Sequence, residues 1–211
     1  MFMSALDRIA CLQGRRDEVP NQELARELAA TKDRAGIREI AENLWNKDQN
    51  IQSDCVKVLY EIGYLDPALV ADYAADFLKL LKSRHNRLVW GGMIALSTVA
   101  ELKADEIFPH RDEIIKVMEK GSVITVDNGV KTLALVASKK DEYQKAIFPY
   151  LLDHLKTCRP KEVPQHAEKT LPAVDATNKP DFIAVLQKRT EDLAGAQLVR
   201  IKKVIKEAEK R

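Results

Sequence analysis

Glycine and proline are sparse in this 211-residue chain, eight of each. That disfavours an all-β fold, which needs tight turns at short intervals. No apolar run approaches the ~20 residues of a membrane-spanning helix. Cysteine is limited to Cys11, Cys55 and Cys158. An odd number of distant cysteines fits buried thiols in a reducing cytoplasm better than a disulfide framework. The first residues, MFMSALDRIACLQGRR, lack a basic segment ahead of an apolar stretch. No secretory signal is therefore expected, and a cytoplasmic location is. An excess of one charge is missing too: 34 Lys and Arg stand against 32 Asp and Glu. A net charge of +2 does not by itself imply a nucleic-acid partner.

The motifs of several enzyme classes are also lacking. There is no GxxxxGK[ST] phosphate loop, no GxGxxG, no GxSxG and no HExxH. The histidines stand at 85, 110, 154 and 166, none followed by Glu.

What the chain has in quantity is Ala, Leu, Lys and Glu, all strong helix formers. It also has an internal repeat. DCVKVLYEIG at 54–63 aligns with GGMIALSTVA at 91–100, NGVKTLALVA at 128–137 and HAEKTLPAVD at 166–175. Leu59, Leu96, Leu133 and Leu171 share one column, and Ile62, Val99, Val136 and Val174 another, three residues on. A third column holds only small residues: Cys55, Gly92, Gly129 and Ala167. Spacings of three and four mark one face of a helix. A second helix is expected after each. Pro67, Pro109 and Pro149 read as first-turn prolines, where a missing amide proton costs nothing. The tripeptide Ile-Phe-Pro, at 107–109 and again at 147–149, would then mark entry into the second helix. The repeating unit is a helical hairpin of about 37–40 residues, within the range of known helical repeats.

Unit length, paired helices and the small-residue column resemble HEAT repeats, within the wider HEAT/armadillo class. The Pro172 of TLPAV adds to this, because first helices of HEAT units are often kinked. Asp127 matches a HEAT consensus position where Trp90 and Ser53 depart from it, so HEAT and armadillo both stay open. The resemblance implies an all-α, right-handed α-α superhelix, a solenoid of stacked hairpins. The expected layout is a capping helix and connector over 1–21, about five repeats over 22–193, and a capping helix over 194–211. Within the first part, 3–13 reads as a lone helix and GRRDEVPN as a polar connector.

Function is then expected to reside in repeated surfaces. Basic residues recur at the handovers between units: Lys82, Arg84, His85 and Arg87; Lys116 and Lys120; Lys156, Arg159 and Lys161; Lys188 and Arg189. They could form a binding ridge. The competing and favoured explanation is that cations in the last turn of a helix complement its dipole. Trp90 and Trp45 are candidate aromatic anchors or joint fillers. The candidate partner-contacting residues are Arg84, His85, Arg87, Trp90, Lys120, Arg159 and Lys161. His154 and Cys158, four apart and near His166, have metal-ligand spacing. They also stand in the columns of Ile114 and Met118, which predicts core packing instead. No catalytic residue, metal ligand, cofactor or small-molecule substrate is expected. The reading is a non-enzymatic scaffold with a protein partner. The alternative is a nucleic-acid-binding solenoid, including HEAT-like glycosylases that excise alkylated bases.

Overall fold

The computed structural model describes residues 3–211. Among them every regular element is helical. The chain divides into two compact units, Met1–Thr125 and Val126–Arg211.

In the first unit the α-helices are α1 (Val19–Thr31), α2 (Arg34–Glu42), α3 (Gln49–Leu65), α4 (Ala74–Leu80), α5 (Asn86–Val99), α6 (Ala104–Ile107) and α7 (Arg111–Glu119). Capping side chains set several starts. The Asp33 carboxylate accepts from the amides of Ala35 and Gly36 to open α2, and Asp48 accepts from Asn50 to open α3. Helix α3 lies between α1 and α5 and so buries more than a single stripe: Cys55, Val56, Val58, Leu59 and Ile62 are all sealed from solvent. Sealing one such Leu or Ile contributes about 1.5–3 kcal/mol.

The small column does what close packing requires. A Cβ on Gly92 would lie 2.9 Å from the Leu80 Cβ and 3.1 Å from the Phe77 carbonyl oxygen, both on α4. Only glycine lets α5 approach α4 this closely.

The start of the chain differs from its sequence reading. In place of one helix over 3–13 there are two 3-10 turns, Leu6–Arg8 and Cys11–Gln13. The reason is where the amides go. Those of Ala5, Ala10 and Cys11 donate to the side chains of Glu39, Asn21 and Asp54, at 2.9, 2.9 and 2.8 Å. They are taken up by α2, α1 and α3, and a continuous helix would need those of Ala10 and Cys11 for itself.

The second unit contains most of α8 (Val123–Ala137), then α9 (Asp141–Thr157), α10 (Val163–Thr170), α11 (Lys179–Arg189) and α12 (Gly195–Glu209). Helix α12 packs on α10 and α11 and buries Ile201, Val204 and Ala208. Pro172 ends α10 in a 3-10 turn, Leu171–Ala173.

The two Ile-Phe-Pro copies fold differently. At 107–109 the tripeptide interrupts the helix: α6 ends at Ile107 and a 3-10 turn precedes α7. At 147–149 it lies inside the continuous α9, which starts eight residues before Pro149, with Asp141 and Glu142 in its first turn. Pro149 is therefore an interior proline and not a first-turn one. Asp105 and Glu106 stand in the first turn of α6 just as Asp141 and Glu142 do in α9, so the dipole favours both starts and the difference lies in where the helices begin, three residues before Ile107 and six before Ile147.

Candidate functional site

Three helix beginnings and the amino-terminal segment enclose a groove of about 350 Å³ in the first unit. Asn50, Ser53, Asp54 and Lys57 come from α3, Arg87 and Trp90 from α5, and Arg15, Arg16 and Glu18 from the approach to α1. The 3-10 turn at Cys11–Gln13 ends at Gly14, whose positive φ of 68° turns the chain into that approach. The Asp54 bond to the Cys11 amide then holds the segment against α3.

The groove is polar and its charges are partly matched. Arg15 meets Asp17 at 2.8 Å. Lys57 meets Glu18 and Glu61, each at 2.8 Å. Burial works against its charge, but the bonds to Glu18 and Glu61 prevail and raise Lys57 above the usual lysine range. Burial, then the neighbouring Asp54, pushes the Cys11 thiol up to about 12, so it stays protonated at neutral pH. Arg16 and Arg87 are exposed and make no ion pair among the described residues. The amino ends of α3 and α5 also contribute residues here, and their dipoles add to the positive field.

Trp90 gives the groove an apolar edge. It is half-buried, 6.5 Å from the Tyr60 ring, which in turn meets Tyr64 edge-on at 6.0 Å. Lys57 lies over the Tyr60 ring at 4.9 Å.

Of the sequence candidates, the structure brings Arg87 and Trp90 together at this groove. Arg84 and His85 immediately precede α5, with Arg84 exposed and His85 half-buried. This corrects the dipole explanation for their cluster. Helix α4 ends at Leu80, and Arg87 stands in the first turn of α5, where a cation opposes the dipole by about 0.3–1 kcal/mol. A cation in a disfavoured position needs another reason to be there. Lys120 is the C-cap of α7, where the dipole does account for it. Arg159 pairs with Glu162, and Lys161 is exposed in the 3-10 turn Pro160–Glu162.

Arg189 is not on a surface ridge at all. It is 7% exposed, and its Nη1 donates to the carbonyls of Leu155 and Lys156 at 2.6 and 2.8 Å, its Nη2 to that of Cys158 at 2.9 Å. It caps the end of α9 from α11. Trp45 is exposed but occupied: its Nε1 donates to Asp76 at 3.3 Å, and Lys79 covers its ring at 4.1 Å.

In the second unit, His154 and Cys158 depart from the core packing expected of them. Each is half-buried, and they share a polar cluster with the buried His166 and with Asp127. Sequence reasoning paired the first three. Asp127 stood out only as a consensus position and not as the partner of His166, thirty-nine residues on, and the groove residues Arg15, Arg16, Asp54 and Lys57 were missed. The clue to the groove was the basic Arg15-Arg16 pair in a stretch read only as a connector.

No protein-family model matches the chain, and no curated protein matches it. Solved structures do. An engineered protein from the Northeast Structural Genomics Consortium aligns over 99% of this chain and 98% of its own, at 18% identity and a TM-score of 0.69. A second engineered protein from the same consortium aligns over 97% of this chain and 58% of its own, at 19% identity and 0.62. A designed armadillo repeat protein aligns over 97% and 98%, at 10% identity and 0.64. The chain therefore has a HEAT/armadillo-like α-solenoid fold, the class its repeat resembles. Among the described residues, no helix is long and apolar enough to cross a membrane.

Proposed function

We propose that this chain is a non-enzymatic helical-repeat scaffold that binds a protein partner, and that an acidic segment of the partner docks in the groove of Arg16, Arg87 and Trp90. The observation that supports it is the pair of uncompensated arginines beside a half-exposed tryptophan, one of them set against its own helix dipole. Arginine and tryptophan are the residue types that carry most binding energy at protein interfaces. The guanidiniums would take carboxylates in paired hydrogen bonds, and the indole would take an apolar or aromatic neighbour. Arg84, at the start of α5, extends the positive field towards the groove.

Duplex nucleic acid suits the basic handovers less well. Lys82, Lys156 and Arg159 of the basic handovers are held by Glu113, Asp153 and Glu162, so less positive charge is left for a phosphate backbone.

The test is a peptide-display selection on the full chain, with affinities of selected peptides measured on the wild type, Arg87→Glu and Trp90→Ala. Enriched peptides should carry Asp or Glu beside an aromatic, and either substitution should weaken them at least tenfold, about 1.4 kcal/mol. Peptides that bind both variants as well as wild type would remove the groove from the reading. Duplex DNA binding that is tight at about 50 mM salt and collapses at about 200 mM would replace a protein partner with nucleic acid.

A further inference from the structure

The second unit contains an arrangement that partner binding does not use. The His166 Nε2 lies 2.8 Å from Asp127 Oδ1, and its Nδ1 lies 2.9 Å from the Nε2 of His154. Asp127 is itself well held. Gln165 donates to its Oδ2, and Lys169 stands 3.7 Å from the same oxygen.

An ionised carboxylate can only accept, so His166 must present its hydrogen at Nε2. When the His166 ring is neutral, its Nδ1 lone pair then faces His154. Two imidazole nitrogens thus share a single proton between them. The thiol of Cys158 completes a triangle: the three donor atoms, Nδ1 or Nε2 of each ring and Sγ, lie within 4.8 Å of one another. Tetrahedral zinc, with bonds of about 2.0–2.1 Å to nitrogen and about 2.3 Å to sulfur, would set such donors about 3.3–3.7 Å apart. The rings need to open by a few tenths of an ångström, and the side chain of the half-buried Cys158, whose backbone Arg189 holds at the end of α9, needs to swing towards them.

From this geometry we infer that His154, His166 and Cys158 form a binding site for a zinc-type divalent metal ion, with Asp127 as the residue that orients His166. A ligating histidine whose other nitrogen donates to a carboxylate is the usual outer support of a zinc site, fixing the tautomer and strengthening the donor. On binding, the ion takes the place of the shared proton. His154 carries its hydrogen on Nδ1 instead, and the Cys158 thiol releases its proton to solvent. Three protein ligands leave the fourth position to water.

The experiment titrates Co²⁺, a spectroscopic stand-in for zinc, into the full chain after chelator treatment, followed by absorption and thermal melting. The expected result is a thiolate-to-cobalt charge-transfer band that saturates at one equivalent and is displaced by Zn²⁺. A rise in the melting temperature of the second unit should accompany it. Cys158→Ser should abolish the charge-transfer band, and His154→Ala should weaken binding at least tenfold, with far-ultraviolet circular dichroism showing both variants folded. Asp127→Asn should keep the band while weakening binding about 10–100-fold. Absence of the band, or its survival in Cys158→Ser, would overturn the assignment and leave two hydrogen-bonded imidazoles with a structural role.

Discussion

Replacing Gly92 puts two opposing effects in competition, and the structure says which wins. In an ordinary helix interior, Gly→Ala stabilises by about 1 kcal/mol, because alanine has less backbone freedom to lose. At Gly92 the new Cβ would meet the Leu80 Cβ at 2.9 Å and the Phe77 carbonyl oxygen at 3.1 Å. Leu80 and Phe77 are 1% and 0% exposed, so α4 has no free volume into which to retreat. Overpacking of this kind costs about 1–3 kcal/mol. Gly92→Ala should thus be destabilising by about 0–2 kcal/mol despite the better helix former. Gly92→Leu, adding three more carbons to the same joint, should exceed about 2 kcal/mol. Urea unfolding followed by circular dichroism gives the readout. With a slope of about 1–3 kcal/mol/M, each kcal/mol lost moves the midpoint by about 0.3–1 M. A Gly92→Ala midpoint higher than wild type would mean that propensity had won and that α4 and α5 are not in close contact. An alanine stabilised by the full propensity gain of about 1 kcal/mol, beside a strongly destabilising leucine, would localise the crowding to the outer atoms and refute the Cβ argument.

Two further outcomes are expected. Arg189→Met keeps most of the side-chain volume but takes the guanidinium donors from three carbonyls at the end of α9, leaving only that of Leu155 with a weak one, the Cys158 thiol. It should cost about 2–4 kcal/mol of second-unit stability in a thermal or urea melt, and Arg189→Lys should recover only part of it. Asp175 is held down to about 2, chiefly by the Thr177 hydroxyl and also by Gln144 and backbone amides. A carboxyl depressed on folding adds stability above its unfolded value and loses it as pH falls through the folded one. The wild type should therefore lose its advantage over Asp175→Asn between about pH 4 and pH 2. Parallel stability curves across that window would show that the charge of Asp175 contributes nothing.

How much of this was legible depends on the range of the interactions. The stripe of Leu59, Leu96 and Leu133, and the small residues beside it, are periodic and local and are buried as read, whereas Leu171, fourth in the column, falls in a 3-10 turn and is only half-buried. Ile-Phe-Pro was legible as a repeat but not as a conformation: acidic first turns precede both copies, yet the helix runs through only the second. The 3–13 segment looked helical since its apolar spacing is helical. Its amides, however, are claimed by Glu39, Asn21 and Asp54, side chains that no local pattern connects to it. The groove was half legible for the same reason. Arg87 and Trp90 stood out within their own repeat, whereas Arg15, Arg16 and Asp54 become part of the site only when the amino-terminal segment folds back. Arg189 was misread outright: a basic residue in the last turn of α11 looks like a surface cation, and only the packing of α11 against α9 turns it inward.

That inward arginine also sets an order of events. The carbonyls that end α9 receive their donors from a residue more than thirty positions later in the chain. While the polypeptide is still being synthesised, α9 has its apolar face and its acidic first turn, but its far end is hydrated and frayed until α11 has emerged and docked. Completion of the earlier helix is thus contingent on the later one. A truncation placed between them, however cleanly it falls in a loop, would leave behind an unfinished helix and not a shorter version of the same protein.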